Sequence, residues 1–199
     1  IVAFVGILST GQGVFIGDGV RDLGSGAGNP QNISPGFVSS TRVFGRAVQI
    51  NNAWQVVARD QTPGSPPANQ IRLWDGKALN AFTTIATGGP STSDYDAVFA
   101  FPSTNNNNQV VFTSTARHLT FSPSPCIGVD CLATPTGSSV PASKFNESAL
   151  PSPLRPMVAD DGRIVVRAGN LIDSPIRLYS YNLASFTTIA DTSMGFTRL

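Results

Sequence analysis

Polar pairs followed by apolar, β-branched residues recur along the chain in nearly fixed phase. Asn51-Asn52-Ala53-Trp54-Gln55-Val56-Val57-Ala58-Arg59 returns as Asn105-Asn106-Asn107-Asn108-Gln109-Val110-Val111-Phe112, and again as Asp160-Asp161-Gly162-Arg163-Ile164-Val165-Val166-Arg167. One step upstream, Ile1-Val2-Ala3-Phe4 occupies the place of Gln55-Val56-Val57-Ala58, so the steps are 54, 54 and 55 residues. Asn, Asp and Gly tolerate positive φ and bond their own backbone, whereas Val and Ile suit a pleated, half-buried surface. Each copy therefore predicts a hairpin with a two-residue polar turn and a Val-Val strand behind it.

Two further segments repeat in the same order. Ile71-Arg72-Leu73-Trp74 matches Ile176-Arg177-Leu178-Tyr179, and Ala81-Phe82-Thr83-Thr84-Ile85-Ala86 matches Ser185-Phe186-Thr187-Thr188-Ile189-Ala190. The second unit reads as four strands: Phe44 to Ile50, Gln55 to Arg59, Ile71 to Trp74 and Ala81 to Thr87. In the first unit Val2 to Val5 and Val14 to Ile16 flank a turn at Ser9 to Gly13, and Leu23 to Ser40 reads as loop. In the third, Val98 to Phe101 leads into the turn, and a Pro-, Ser- and Thr-rich excursion runs from Ser122 to Pro156. An insertion on one repeat maps to a surface loop, which makes this excursion a candidate contact surface.

Four short strands per unit of about 54 residues, with turn signals throughout and no helical period, predict an all-β, β-propeller-like domain of four repeats. The repeats are 1–54, 55–108, 109–163 and 164–199, dividing at Trp54, Asn108 and Arg163. A β-sandwich carrying a fortuitous repeat is the alternative; the coils of a β-solenoid are shorter. The start at Ile1, in mid-repeat and without initiator Met or signal peptide, reads as a processed chain or a piece of a longer one.

Composition narrows the function classes. Hydrophobic residues make up 41% of the chain and charged residues only 13%, with Lys confined to Lys77 and Lys144 and Glu to Glu147. The surface is therefore built of Ser, Thr, Asn, Gly and Pro, which suits an extracellular or assembled protein. A net charge of +1 offers no basic patch for nucleic acid, and no apolar run reaches the roughly 20 residues of a membrane span. Cys126 and Cys131 are spaced for a local disulfide in an oxidising compartment, with free thiols as the other reading. Metal binding would need more ligands than His118, the single histidine, can add, and no cofactor is expected. Asn32-Ile33-Ser34 and Asn146-Glu147-Ser148 are glycosylation sequons, making Asn32 and Asn146 candidate acceptors.

Catalytic constellations are scarce. A nucleophilic triad would have to use His118, and no Gly-x-Ser-x-Gly elbow is present. Asp160-Asp161-Gly162 stands where the other copies carry Asn pairs and reads as a turn. Gly24 to Gly28 is glycine-rich without the Lys or following helix of a phosphate loop. Asp94 and Asp96 form a carboxylate pair without calcium-loop spacing. Trp74 reads as packing, and Trp54, in a turn, as the more exposed platform for stacking a sugar.

The turn-strand signature resembles a known repeat. Phe99-Ala100-Phe101-Pro102 or Arg155-Pro156 precedes Asn105-Asn106 or Asp160-Asp161 and then Val-Val, and Val14-Phe15-Ile16-Gly17-Asp18-Gly19 follows in the first unit. In this it is similar to the propeller-type repeats of bacterial exosortase-sorted and related surface-anchored proteins, although the turn glycine stands only at Gly162. The resemblance implies an extracellular β-propeller and supplies no catalytic residues.

The expected function is that of a non-enzymatic structural or adhesive extracellular protein. The alternative is a carbohydrate-binding or carbohydrate-active propeller, with glycans as partners and Trp54, Asp94 and Asp96 as its residues. The ends carry the assembly expectation. The unit beginning at Ile1 has no strand leading into its turn, and Gly195-Phe196-Thr197-Arg198-Leu199 stops before another turn. An open strand edge templates another strand. A neighbouring copy's terminal strand could therefore add beside Ile1 and Val2 through Phe196 and Leu199, giving an oligomer or filament; self-closure and a longer parent chain are the other readings.

Overall fold

A computed structural model describes residues 1–18, 30–37, 43–62, 69–88, 98, 101–113, 119–122, 131–133, 139–141, 154–167, 176–180 and 185–194. Among them the secondary structure is antiparallel strand, two short 3-10 turns and no α-helix. The first sheet contains β1 (Val2–Leu8), β2 (Gly11–Gly17) and β3 (Gln31–Asn32) in that order. The second is β4 (Val43–Ile50), β5 (Val56–Gln61), β6 (Asn69–Trp74) and β7 (Phe82–Gly88). The third joins β8 (Ser103–Thr104), β9 (Val110–Thr113) and β10 (Leu119–Ser122), followed by a hairpin of β11 (Cys131–Ala133) and β12 (Ser139–Pro141). The fourth is β13 (Leu154–Val158), β14 (Ile164–Arg167), β15 (Ile176–Ser180) and β16 (Ser185–Ala190).

The strands of the second and fourth sheets correspond one to one, down to their irregularities. The register slips between Ile71 and Arg72 where β6 meets β7, and between Ile176 and Arg177 where β15 meets β16. The leading strands β4 and β13 are bulged as well. A bulge kept at equivalent positions is part of the repeat's design.

Alternation along β5 explains how the sheets stack. Val56 and Ala58 join Val14, Ile16, Ile33, Phe44 and Trp74 in a core between the first and second sheets. Val57, one residue out of phase, joins Ile71, Ala86, Val98, Val110 and Phe112 between the second and third. Side chains on successive strand positions point to opposite faces, so one Val-Val strand serves two cores.

Four details of the sequence reading change. The hairpin loop has three residues: Trp54 N–H donates to Asn51 O at 3.1 Å, and Asn51 N–H to Gln55 O at 3.0 Å. The residue closing the loop is left-handed, at φ 66° for Trp54, 60° for Asn108 and 84° for Gly162, which is a type I turn completed by an αL residue. Gly162, not Arg163, is thus the counterpart of Trp54 and Asn108, and the last step is 54 residues like the others. The lead into the third turn is Ser103–Thr104, since Phe101 has φ 72° and breaks the expected Val98 to Phe101 strand. Gln31 and Asn32, expected in loop, form β3 on the edge of the first sheet.

Candidate functional site

The three polar turns lie against one another across the sheets. Asn51 Nδ2 donates to Gln55 Oε1 within its own turn and to Asn105 O of the next, both at 2.6 Å. Asn105 repeats this, donating to Gln109 Oε1 and, at 2.8 Å, to Ala159 O. A second rung runs from Asn52 N–H to Asn106 Oδ1 and from Asn106 N–H to Asp160 Oδ1, both at 2.8 Å. A third runs in the opposite sense: Thr104 N–H donates to Gln49 Oε1 at 3.3 Å, and Val158 N–H to Ser103 Oγ at 3.1 Å. An Asn side chain suits this place because its oxygen closes the local loop, with Asn51 Oδ1 taking Gln55 N–H at 2.8 Å, while its two N–H groups bridge outward. Asn105 is buried with its side-chain oxygen and both amide hydrogens engaged, and Gln109, also buried, accepts at Oε1 from Asn105 and donates its backbone N–H to Asn105 Oδ1.

The ladder changes character at the fourth sheet. Ala159 stands where Asn51 and Asn105 donate, and Asp161 where Asn107 Nδ2 reaches Asp160 O at 2.6 Å. Asp161 instead accepts from Arg163 N–H at 3.0 Å and Arg163 Nε at 2.7 Å. That backbone bond, with the guanidinium adding to it, holds the Asp161 carboxyl below its ordinary range.

At the other end of the ladder is an open pocket of about 200 Å³ lined by Ile1, Ile50, Asn51, Asn52 and Trp54. Beside it β1 is, among the described residues, the edge of the first sheet, with Val2 and Phe4 exposed on its outer face. Val2 is 60% exposed, whereas Val56, Val110 and Ile164 at the equivalent positions are 0% exposed. Phe4, also exposed, stacks on Phe15 with centroids 5.6 Å apart. Gly6 and Gly13 make room for that ring: a Cβ on Gly6 would lie 2.6 Å from Phe15 Cε2.

The residues singled out in the sequence fare differently. Trp54 is half-buried and packs against the core between the first two sheets, so it lines the pocket with part of its ring covered. Trp74 is buried in that core and donates Nε1–H to Ala78 O at 2.6 Å. Asn32 is half-buried, its Oδ1 accepting from Ser34 N–H at 2.9 Å and Ser34 Oγ at 3.2 Å, while Ser34 Oγ in turn accepts from Val14 N–H at 2.8 Å. Its sequon is thereby part of the β2–β3 packing. Ile1 and Val2 are exposed at the pocket and edge. Asp94, Asp96, Cys126, His118, Asn146, Phe196 and Leu199 lie outside the described residues, as do residues 142–153 of the excursion. The strand beginning at Cys131 pairs with Ser139–Pro141. No cluster of three potential metal-ligating side chains occurs among the described residues.

Sequence reasoning missed the ladder and a buried ion pair. Asp60, fully buried on β5, accepts from Arg72 Nε at 2.8 Å. Arg59 on the opposite face donates Nη2–H to Asn69 Oδ1 at 2.5 Å, and burial lowers its pKa while Asp60 opposes the shift. The signal for the ladder was present: carboxamides recur at 51 and 105 and at 52 and 106, which turn formation alone does not require.

Comparison of the chain with models of known protein families, with curated proteins and with solved structures finds no match.

Proposed function

We propose that this chain is a non-enzymatic structural or adhesive protein of the cell exterior, propeller-like in its four repeats, which associates with further copies by β-strand addition at β1. The observation carrying this reading is the contrast between Val2, 60% exposed, and its three fully buried counterparts. A face built to the same pattern as the internal interfaces, left open to solvent, is suited to cover by another chain. The low charge, the sequons and the resemblance to surface-anchored propeller repeats support the extracellular assignment. Phe196 and Leu199 are the proposed donors of the added strand. Sedimentation velocity tests it: the intact chain should assemble with concentration, and removal of residues 195–199 should leave monomers. An intact chain that stays monomeric at high concentration, or a truncated one that still assembles, would refute it.

A second reading rests on Trp54 beside Asn51 and Asn52 in an open pocket, an aromatic face next to amides that suits a sugar. Saturable binding on a glycan array, lost in Trp54→Ala, would replace the structural reading with this one.

A further inference from the structure

Asn32-Ile33-Ser34 is a glycosylation sequon, and its place in the first sheet decides how it can be used. Asn32 ends β3 opposite Phe15, which in turn pairs with Phe4. One repeat on, the same path runs from Ala58 through Arg72 to Thr84. Thr84 is exposed although the first sheet packs against the second, so this position on the outer strand stays open to solvent at a complete interface between sheets.

The bonds around Asn32 divide its carboxamide in two. Oδ1 accepts from Ser34 N–H at 2.9 Å and from the Ser34 hydroxyl at 3.2 Å, whereas Nδ2 has no acceptor among the described residues and reaches solvent. Gly13 leaves room for the group, since a Cβ there would lie 3.2 Å from Nδ2. A sugar on Nδ2 would therefore break none of the bonds that hold this turn, because an N-linked amide keeps its oxygen as an acceptor. The hydroxyl of the sequon is in the opposite state. Ser34 is fully buried, with Oγ donating to Asn32 and accepting from Val14 N–H at 2.8 Å.

We infer that Asn32 is an N-glycan attachment site, loaded before the first sheet closes and then carried on its outer strand. This rests on the reading of the chain as a protein of the cell exterior, and adds the position and the timing of a modification. The donor is an activated glycosyl diphosphate. Asn32 Nδ2 bonds to the anomeric carbon and gives up one proton, while the carbon–oxygen bond to the diphosphate breaks and the diphosphate leaves with the electron pair. The sequon is read through its hydroxyl as well as its amide, and in the folded chain that hydroxyl is enclosed and engaged on both sides. Transfer thus belongs to the unfolded chain; folding then encloses Ser34 and leaves the sugar outside. There it shields β3, which among the described residues is the edge of the first sheet away from β1, from pairing with a foreign strand.

Peptide mapping of the chain recovered from the outside of its source cells tests the site. The peptide holding residues 30–36 should carry a glycan that peptide N-glycanase removes, leaving an aspartate. Asn32→Asp keeps an oxygen for both Ser34 bonds and removes the acceptor nitrogen, so it should lose the glycan and still fold, as far-UV circular dichroism would verify. A purified oligosaccharyltransferase with a polyprenyl-diphosphate-linked donor tests the timing. A synthetic peptide of residues 30–36 should be modified at least about tenfold faster than the folded, unglycosylated chain, in which transfer waits for local opening of the edge. Equal rates would overturn the order of events. An unmodified Asn32 on a chain recovered outside the cell would overturn the site and leave the exterior reading standing. A chain confined to the cytosol would refute the exterior reading, and this inference with it.

Discussion

At the scale of single residues, the left-handed positions decide which substitutions the turns accept. Gly76 has φ 82°, and a Cβ there would lie 3.1 Å from both Ala53 O and Trp54 O, so the glycine supports the underside of the Trp54 turn. Gly76→Ala combines positive-φ strain with a contact against backbone that has no rotamer to yield. It should destabilise the fold by about 1–3 kcal/mol in chemical denaturation, and a loss below the error of that measurement would show that the loop moves freely. Trp54 tells the complementary story. A bulky residue at φ 66° is disfavoured, yet it is kept where Gly162 shows that glycine serves, and its packing against the first core offsets the strain.

At the scale of elements, the ladder rather than the strands holds the turns in phase. Asn105 is buried at its centre: it donates to Gln109 and Ala159 and accepts from Asn107 N–H and Gln109 N–H, each at 3.0 Å. Asn51 makes the same kinds of bond half-exposed. Asn105→Ala should therefore cost about 2–3 kcal/mol, because its partners stay buried and unpaired, and Asn51→Ala distinctly less; equal losses in urea denaturation would mean that burial does not set the energetics. Strands and turns were legible because Val-Val and Asn-Asn act locally, through period and propensity. The last turn was placed one residue late because Asp160-Asp161 mimics Asn51-Asn52 in composition, while the ladder aligns Ala159-Asp160 with it. The Asp60–Arg72 pair was not legible at all, since β5 and β6 bring residues twelve apart together only once their register is set. The pocket likewise depends on a cross-sheet register that no single segment encodes.

At the scale of the whole molecule, the question is what covers the first sheet. The same repeat position can be tested twice, with opposite outcomes expected. Val56 is sealed in the core between the first two sheets, so Val56→Lys buries an unpaired ammonium and should prevent folding or leave a grossly destabilised chain. Val2 occupies the equivalent place on β1 with its side chain largely in solvent, so Val2→Lys should leave monomer stability within about 0.5 kcal/mol. It should nonetheless abolish assembly, because it puts a charge on the face where a second chain must desolvate. Thermal unfolding of dilute protein reports the first effect, and sedimentation of concentrated protein the second. If Val2→Lys lowers the melting temperature as Val56→Lys does, Val2 is covered within its own chain, and the repeats close on themselves. If it leaves both stability and assembly unchanged, copies do not meet at this face. Only a stable monomer that no longer associates fits a surface patterned as an internal interface and used between molecules.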